Sequence, residues 1–131
     1  MRLIPVVFLF AAALLSGCGR HPAAGVWATD QDNAYGIKRL RVGFDGRAEF
    51  ETTKPEPASW HCFWGATGKY SASLQCRSSA QPEVTRNFVL TVSEPGEGRL
   101  QARLMHGAET AAIFVLLDEN PTPVVKPFNP E

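Results

Sequence analysis

The sequence predicts an all-β fold, a small eight-stranded antiparallel meander barrel, on three observations. Between residues 25 and 120 no amphipathic helical pattern of ten or more residues occurs. Short runs of alternating apolar and polar residues recur there instead at about twelve-residue spacing, the pattern of a sandwich or barrel. The 131 residues also include ten Pro and eleven Gly, more than helix interiors tolerate but suited to frequent turns. Thirteen Lys and Arg balance thirteen Asp and Glu. That balance excludes steering to nucleic acid by a basic surface, and no polybasic run marks a headgroup-binding patch. The size excludes a multi-domain enzyme.

Residues 1–17 read as a targeting segment. Arg2 supplies a positive start, and residues 3–15 form an apolar run of thirteen. That run is shorter than the roughly twenty residues a membrane-spanning helix needs, and it has the length of a signal-peptide core. It ends in Leu15-Ser16-Gly17-Cys18. This motif resembles the lipobox of bacterial lipoproteins at all four positions. The resemblance implies cleavage before Cys18, a diacylglyceryl group on its thiol, and an acylated (palmitate-type) new amino terminus. Several acyl chains, at about 0.8 kcal/mol per buried methylene, make such an anchor essentially permanent. Gly19 after the cysteine, where retained lipoproteins carry Asp, implies the outer membrane of a Gram-negative bacterium, facing the periplasm, over the inner membrane. Residues 18–24 are then the acylated cysteine and a short tether, six residues of which reach at most about 20 Å.

The barrel domain is expected over residues 25–120, with strands at 26–30, 37–43, 47–53, 59–64, 71–77, 84–93, 99–106 and 109–117. Gly25-Val26-Trp27 resembles the Gly-x-Trp that opens lipocalin-like (calycin) barrels, although the family's later Thr-Asp-Tyr is absent. The resemblance implies a meander barrel whose Trp plugs the base. For the second hairpin, a three-residue loop Phe44-Asp45-Gly46 with Gly46 left-handed pairs Val42 with Ala48 and Leu40 with Phe50 inside. Arg41 then meets Glu49, and Arg39 meets Glu51, outside. For the last hairpin, a two-residue Gly107-Ala108 turn pairs Leu104 with Ala111, Ala102 with Ile113 and Leu100 with Val115. Ala112, Phe114 and Leu116 then form an outer apolar stripe that needs a cover. The Pro-rich tail, residues 121–131, offers Val124, Val125 and Phe128 for it.

With Cys18 acylated, Cys62 and Cys76 remain as an even pair in an oxidising compartment, which predicts one disulfide. Trp60, Cys62 and Trp64 alternate onto one face, as do Ala72, Leu74 and Cys76. Pairing the cysteines sets Trp64 opposite Leu74 and centres the turn on Lys69. The rival is a metal or redox site using His61, Cys62, Cys76 and His106. Against it, His61 and Cys62 are strand neighbours on opposite faces, and no Cys-x-x-Cys motif occurs. Asp30-Gln31-Asp32-Asn33 begins like a calcium loop, but Tyr35 and Arg41 stand where that loop needs Gly and Glu. No metal and no cofactor are expected.

No nucleophile elbow, phosphate loop or zinc-protease motif occurs, so no catalytic residue is assigned and the chain is read as non-enzymatic. His61 and Phe63 face outward with Ser73, Gln75 and Arg77, an exposed strip suited to contact with protein or glycan, with His61, Phe63, Gln75 and Arg77 as its candidate binding residues. The expected interior, with Leu40, Phe50, Trp60, Trp64, Leu74, Phe88, Leu90, Leu100 and Leu104, leaves little room for a ligand. The function expected is therefore a membrane-anchored macromolecule-binding module of the cell envelope. Its partner would be an envelope protein or a peptidoglycan-associated one, not nucleic acid. Two alternatives differ in what they demand. An inhibitor or immunity protein against an exported lysozyme- or protease-type hydrolase needs a projecting element, with residues 54–58 and 20–24 as candidates. A lipocalin-like carrier needs an internal cavity above about 300 Å³.

Overall fold

A computed structural model describes residues 20–93 and 98–122. Its strands are β1 (Gly25–Ala28), β2 (Arg39–Val42), β3 (Arg47–Thr52), β4 (Ala58–Gly68), β5 (Ser71–Ser78), β6 (Thr85–Val92), β7 (Gln101–His106) and β8 (Glu109–Asp118). Each pairs antiparallel with the next, and β8 returns to β1, so the sheet closes into a barrel in sequence order. The expected all-β meander is the fold observed. Closure removes every free sheet edge.

The alternation of apolar and polar residues sets which side chains fill the barrel. Trp27, Leu40, Leu74, Leu90, Leu104 and Phe114 are fully buried in its interior, and Phe50, Trp60 and Phe88 nearly so. In the second hairpin Leu40 pairs with Phe50, Arg41 with Glu49 and Val42 with Ala48, as expected. Gly46 takes a φ of 78°, the left-handed bulge position that only glycine enters without strain. Arg41 meets Glu49 at 2.9 Å, whereas Arg39 and Glu51 do not come within ion-pair distance.

Cys62 and Cys76 stand directly opposite one another and form the disulfide, with Cα atoms 4.0 Å apart. Trp64 lies opposite Leu74 as the parity required. The expected centring of the turn on Lys69 is corrected by a bulge between Ala66 and Gly68. It shifts the register by one, pairs Gly68 with Ser71 and leaves Lys69-Tyr70 as the turn.

The last hairpin needs a larger correction. Gly107, at φ 63°, and Ala108 do make the expected two-residue turn, with His106 opposite Glu109. A bulge between Leu104 and Met105 then moves the partner of Leu104 from Ala111 to Ala112, and that of Ala102 from Ile113 to Phe114. Ala111 and Ala112 are both buried, and every later side chain of β8 changes face. Phe114 therefore packs inside, and the exposed apolar residues are Ile113, Val115 and Leu117. The cover expected from Val124, Val125 and Phe128 lies outside the described residues, as does Cys18. Pro121 is fully buried, and its carbonyl accepts a hydrogen bond from Arg41 Nη1 at 3.3 Å.

The two ends of the barrel are closed differently. At the base, residues 20–24 fold back under the strands instead of leading away as a free tether. Ala23 is fully buried and its carbonyl accepts the Trp27 indole N–H at 2.9 Å. At the mouth, Phe50 and Trp60 stack at 5.9 Å, and Phe88 meets Phe50 edge-on at 5.5 Å and His106 at 5.3 Å.

Candidate functional site

Closure and packing direct attention to the outer wall. A closed barrel offers no strand edge for a peptide to extend. Its mouth, lined by Tyr35, Thr52, Trp60, Ser78 and Arg86 among others, holds a pocket of only about 70 Å³. Polar groups there are already engaged: the Trp60 indole donates to Thr52 Oγ1 at 3.0 Å, and the Arg86 guanidinium lies 5.3 Å from the Trp60 ring centre.

On the wall, strand parity places His61 and Phe63 outward on β4 because Cys62 between them points in. The register then completes the patch. His61 stands opposite Arg77, and Phe63 opposite Gln75, so the four expected residues form one contiguous block. Phe63 is 68% exposed, the largest exposure of any big apolar side chain among the described residues. The neighbouring strand adds Glu49 beside His61 and Arg47 beside Phe63. Glu49 holds Arg41 with one carboxylate oxygen, and its other oxygen lies 3.9 Å from His61 Nδ1. On that flank the wall forms an open groove of about 610 Å³, lined by Arg39, Arg41, Glu49, Glu51 and His61 with Val26. Sequence reasoning found the four patch residues but missed this charged groove. The hairpin pattern placed Arg39, Arg41, Glu49 and Glu51 outward, but the groove also needs Val26 and His61 from the strands on either side, which only closure of the sheet brings together.

The remaining expected positions have structural explanations. His21 sits at the base, where its Nε2 is 2.7 Å from the Gly68 carbonyl and its Nδ1 accepts the Ala23 N–H at 3.1 Å. His106 is at the mouth, with the Tyr35 hydroxyl 3.5 Å from its Nδ1. His61 is exposed and Cys62 buried, so the two cannot share a ligand site. In the calcium-like loop, the Asn33 carboxamide bonds both backbone groups of Ile37 at 2.8 Å and so braces a turn. Of the two candidate projecting elements, residues 20–24 are packed on the base, and residues 54–56 with Ala58 rim the mouth pocket.

Fold and surface together define a class: a small, disulfide-clasped, closed eight-stranded β-barrel with an apolar core and an exposed aromatic ring on its wall. Comparison with protein-family models, curated proteins and solved structures finds no match.

Proposed function

We propose that this chain is a lipid-anchored envelope lipoprotein, periplasm-facing on the outer membrane, whose barrel is a non-enzymatic macromolecule-binding module. The observation that carries the reading is the contiguous outer-wall block of His61, Phe63, Gln75 and Arg77, with an aromatic ring held in solvent at its centre. Leaving Phe63 uncovered forgoes about 1.5–3 kcal/mol of burial, which a partner recovers on docking.

The lipobox resemblance at Leu15-Ser16-Gly17-Cys18 supports the anchor, and the base supplies its geometry. With residues 20–24 packed under the barrel, one residue, Gly19, separates the acyl site at Cys18 from the fold, two Cα steps with a reach of about 7 Å. The base then faces the lipid, with the half-exposed Phe44 at the tip of its hairpin and Arg20 5.0 Å from that ring. The patch on the wall points sideways, parallel to the membrane. The large buried side chains of the interior and the small mouth pocket argue against the carrier alternative. The packing of residues 20–24 on the base leaves residues 54–58 as the remaining candidate for the single projecting element the inhibitor alternative needs.

Two experiments test the proposal. Cys18→Ser should abolish incorporation of labelled palmitate and leave an unprocessed precursor; continued labelling would remove the anchor. Affinity capture from native envelopes, followed by mass spectrometry, should yield a species that Phe63→Ala with Arg77→Ala no longer retains. Equal retention by that double variant would remove the patch from the reading.

A further inference from the structure

Gly65 follows Phe63 on the same outward face of β4, opposite Ser73. Glycine inside a strand weakens it, and two structural demands usually account for one: a positive φ, or a neighbour that leaves no room for a Cβ. Gly65 meets neither. Its φ is not in the positive range, and a Cβ built on it finds no atom within 4 Å. Among the described glycines it alone lacks both reasons. What its missing side chain provides is an opening on the surface.

That opening belongs to a hollow of about 620 Å³ on the outer face of β4, β5 and β6. Phe63, Gln75, Asn87 and Val89 wall it, and Gly65 and Ser73 form its low floor. The register explains the arrangement. Phe63, Gln75 and Asn87 form one row across three strands, and Gly65, Ser73 and Val89 form the next. The hollow is shallow and open, with Phe63, Gly65, Ser73, Gln75, Asn87 and Val89 all exposed. No charged side chain lines the hollow; Arg47 and Arg77 stand outside it, beside Phe63 and Gln75. The carboxamides of Gln75 and Asn87 and the hydroxyl of Ser73 each both donate and accept. All three side chains are exposed, and among the described residues none of them hydrogen-bonds within the protein, so each is open to a ligand.

We infer that the hollow beside Phe63 seats a sugar ring of a glycan strand. The ligand chemistry follows from the lining. An uncharged site rich in groups that both donate and accept selects a hydroxyl- and amide-bearing ligand over an ionic one, because ionic groups would lose hydration without a counter-charge. The exposed ring of Phe63 supplies an apolar face on which the C–H face of a pyranose packs. The floor at Gly65 lets that ring descend to the strand backbone, and Arg47 and Arg77 beside the hollow suit acidic substituents carried further along the strand. This assignment rests on the reading that the β4–β5 outer face is the binding face, and it names the class of partner that face takes.

The test uses the purified full-length protein and a soluble probe, the tetramer of β-1,4-linked N-acetylglucosamine, followed by NMR. The side-chain amide resonances of Gln75 and Asn87 should shift on titration. Phe63→Ala should weaken the probe at least tenfold. Gly65→Val should abolish the shifts while the backbone spectrum stays folded, because the added Cβ meets no protein atom within 4 Å and the side chain grows into the hollow. If Gly65→Val binds as the parent does, or the shifts fall outside the hollow, the assignment is overturned. If the probe causes no shifts while Phe63→Ala with Arg77→Ala still loses an envelope partner, the glycan inference fails and the binding face stands. If that double variant also retains the partner, both fail.

Discussion

At its base the barrel is closed by a chain segment from outside the strands; at its mouth it is closed by rings carried on them. The base depends on short-range polar contacts around residues 20–24, with His21 bridging Gly68 and Ala23, and Ala23 receiving the Trp27 indole. The mouth depends on the packed rings of Phe50, Trp60, Phe88 and His106. The difference teaches where motion should begin. Both ends are shut. Only the base, however, is shut by a segment that can peel away without breaking a strand pair.

The strongest test of that contrast is Trp27→Ala. Trp27 is fully buried and fixes the crossing segment to the interior, so its loss removes core volume and the anchor of the base together. The expected cost is about 3–5 kcal/mol, read as a lower denaturant midpoint. A cost below about 1 kcal/mol would mean that the base collapses onto the gap and the plug is dispensable. Next comes Cys62→Ser, in the wall between the two ends. The disulfide closes a loop whose ends are 14 apart in sequence, worth about 3 kcal/mol in the chain-entropy model. We expect a loss of about 2–4 kcal/mol. Cys76 is fully buried, so the freed thiol should react with an alkylating agent only as the domain opens. Rapid alkylation of a domain that remains folded would show that the disulfide itself holds β4 to β5.

The sequence legibility of these regions follows one physical rule. The second hairpin was readable because one face of each strand is charged: Arg41 and Glu49 can point only outward, and a register slip would bury them. The β4–β5 pairing was readable from the two cysteines, and with it the patch of His61, Phe63, Gln75 and Arg77. Strand β8 was not readable. Ala112, Phe114 and Leu116 are as apolar as Ile113, Val115 and Leu117, so neither parity left a charge in the core. The bulge that decided the matter sits at Ala111 and Ala112, two small residues that carry no preference for a side. The hollow beside Phe63 was hidden for another reason. Its lining needs the registers of three strands at once, and the signal of Gly65 is a space that exists only once those strands are paired.

At the mouth, Trp60→Phe sharpens the comparison by removing one polar contact while keeping a ring. The variant can still stack on Phe50, but Thr52, almost fully buried, loses the indole N–H that its hydroxyl accepts. The expected cost is about 1–2 kcal/mol, from a buried hydroxyl left short of a partner and a modest loss of packing. Thermal melting checks it. An unchanged melting temperature would show that the stack alone closes the mouth and the hydroxyl has found another partner.

The smallest effect is expected from His21→Ala, and it is the most direct probe of the base as a separable unit. Because Nδ1 accepts the Ala23 N–H, the ring's proton is on Nε2, which donates it to the Gly68 carbonyl. One imidazole thus ties the crossing segment to the β4–β5 turn through both of its nitrogens. Its bond to Gly68 lies at the surface, where water replaces the partner, so the two bonds together should contribute only about 1 kcal/mol. The informative readout is where protection is lost. Hydrogen exchange should accelerate at the amides of Ala23 and Ala24, while amides of the central strands, such as those of Cys62 and Leu90, keep the protection set by global unfolding. Should exchange rise equally at all four amides, the base opens only with the whole barrel, and the contrast between its two ends is one of composition alone.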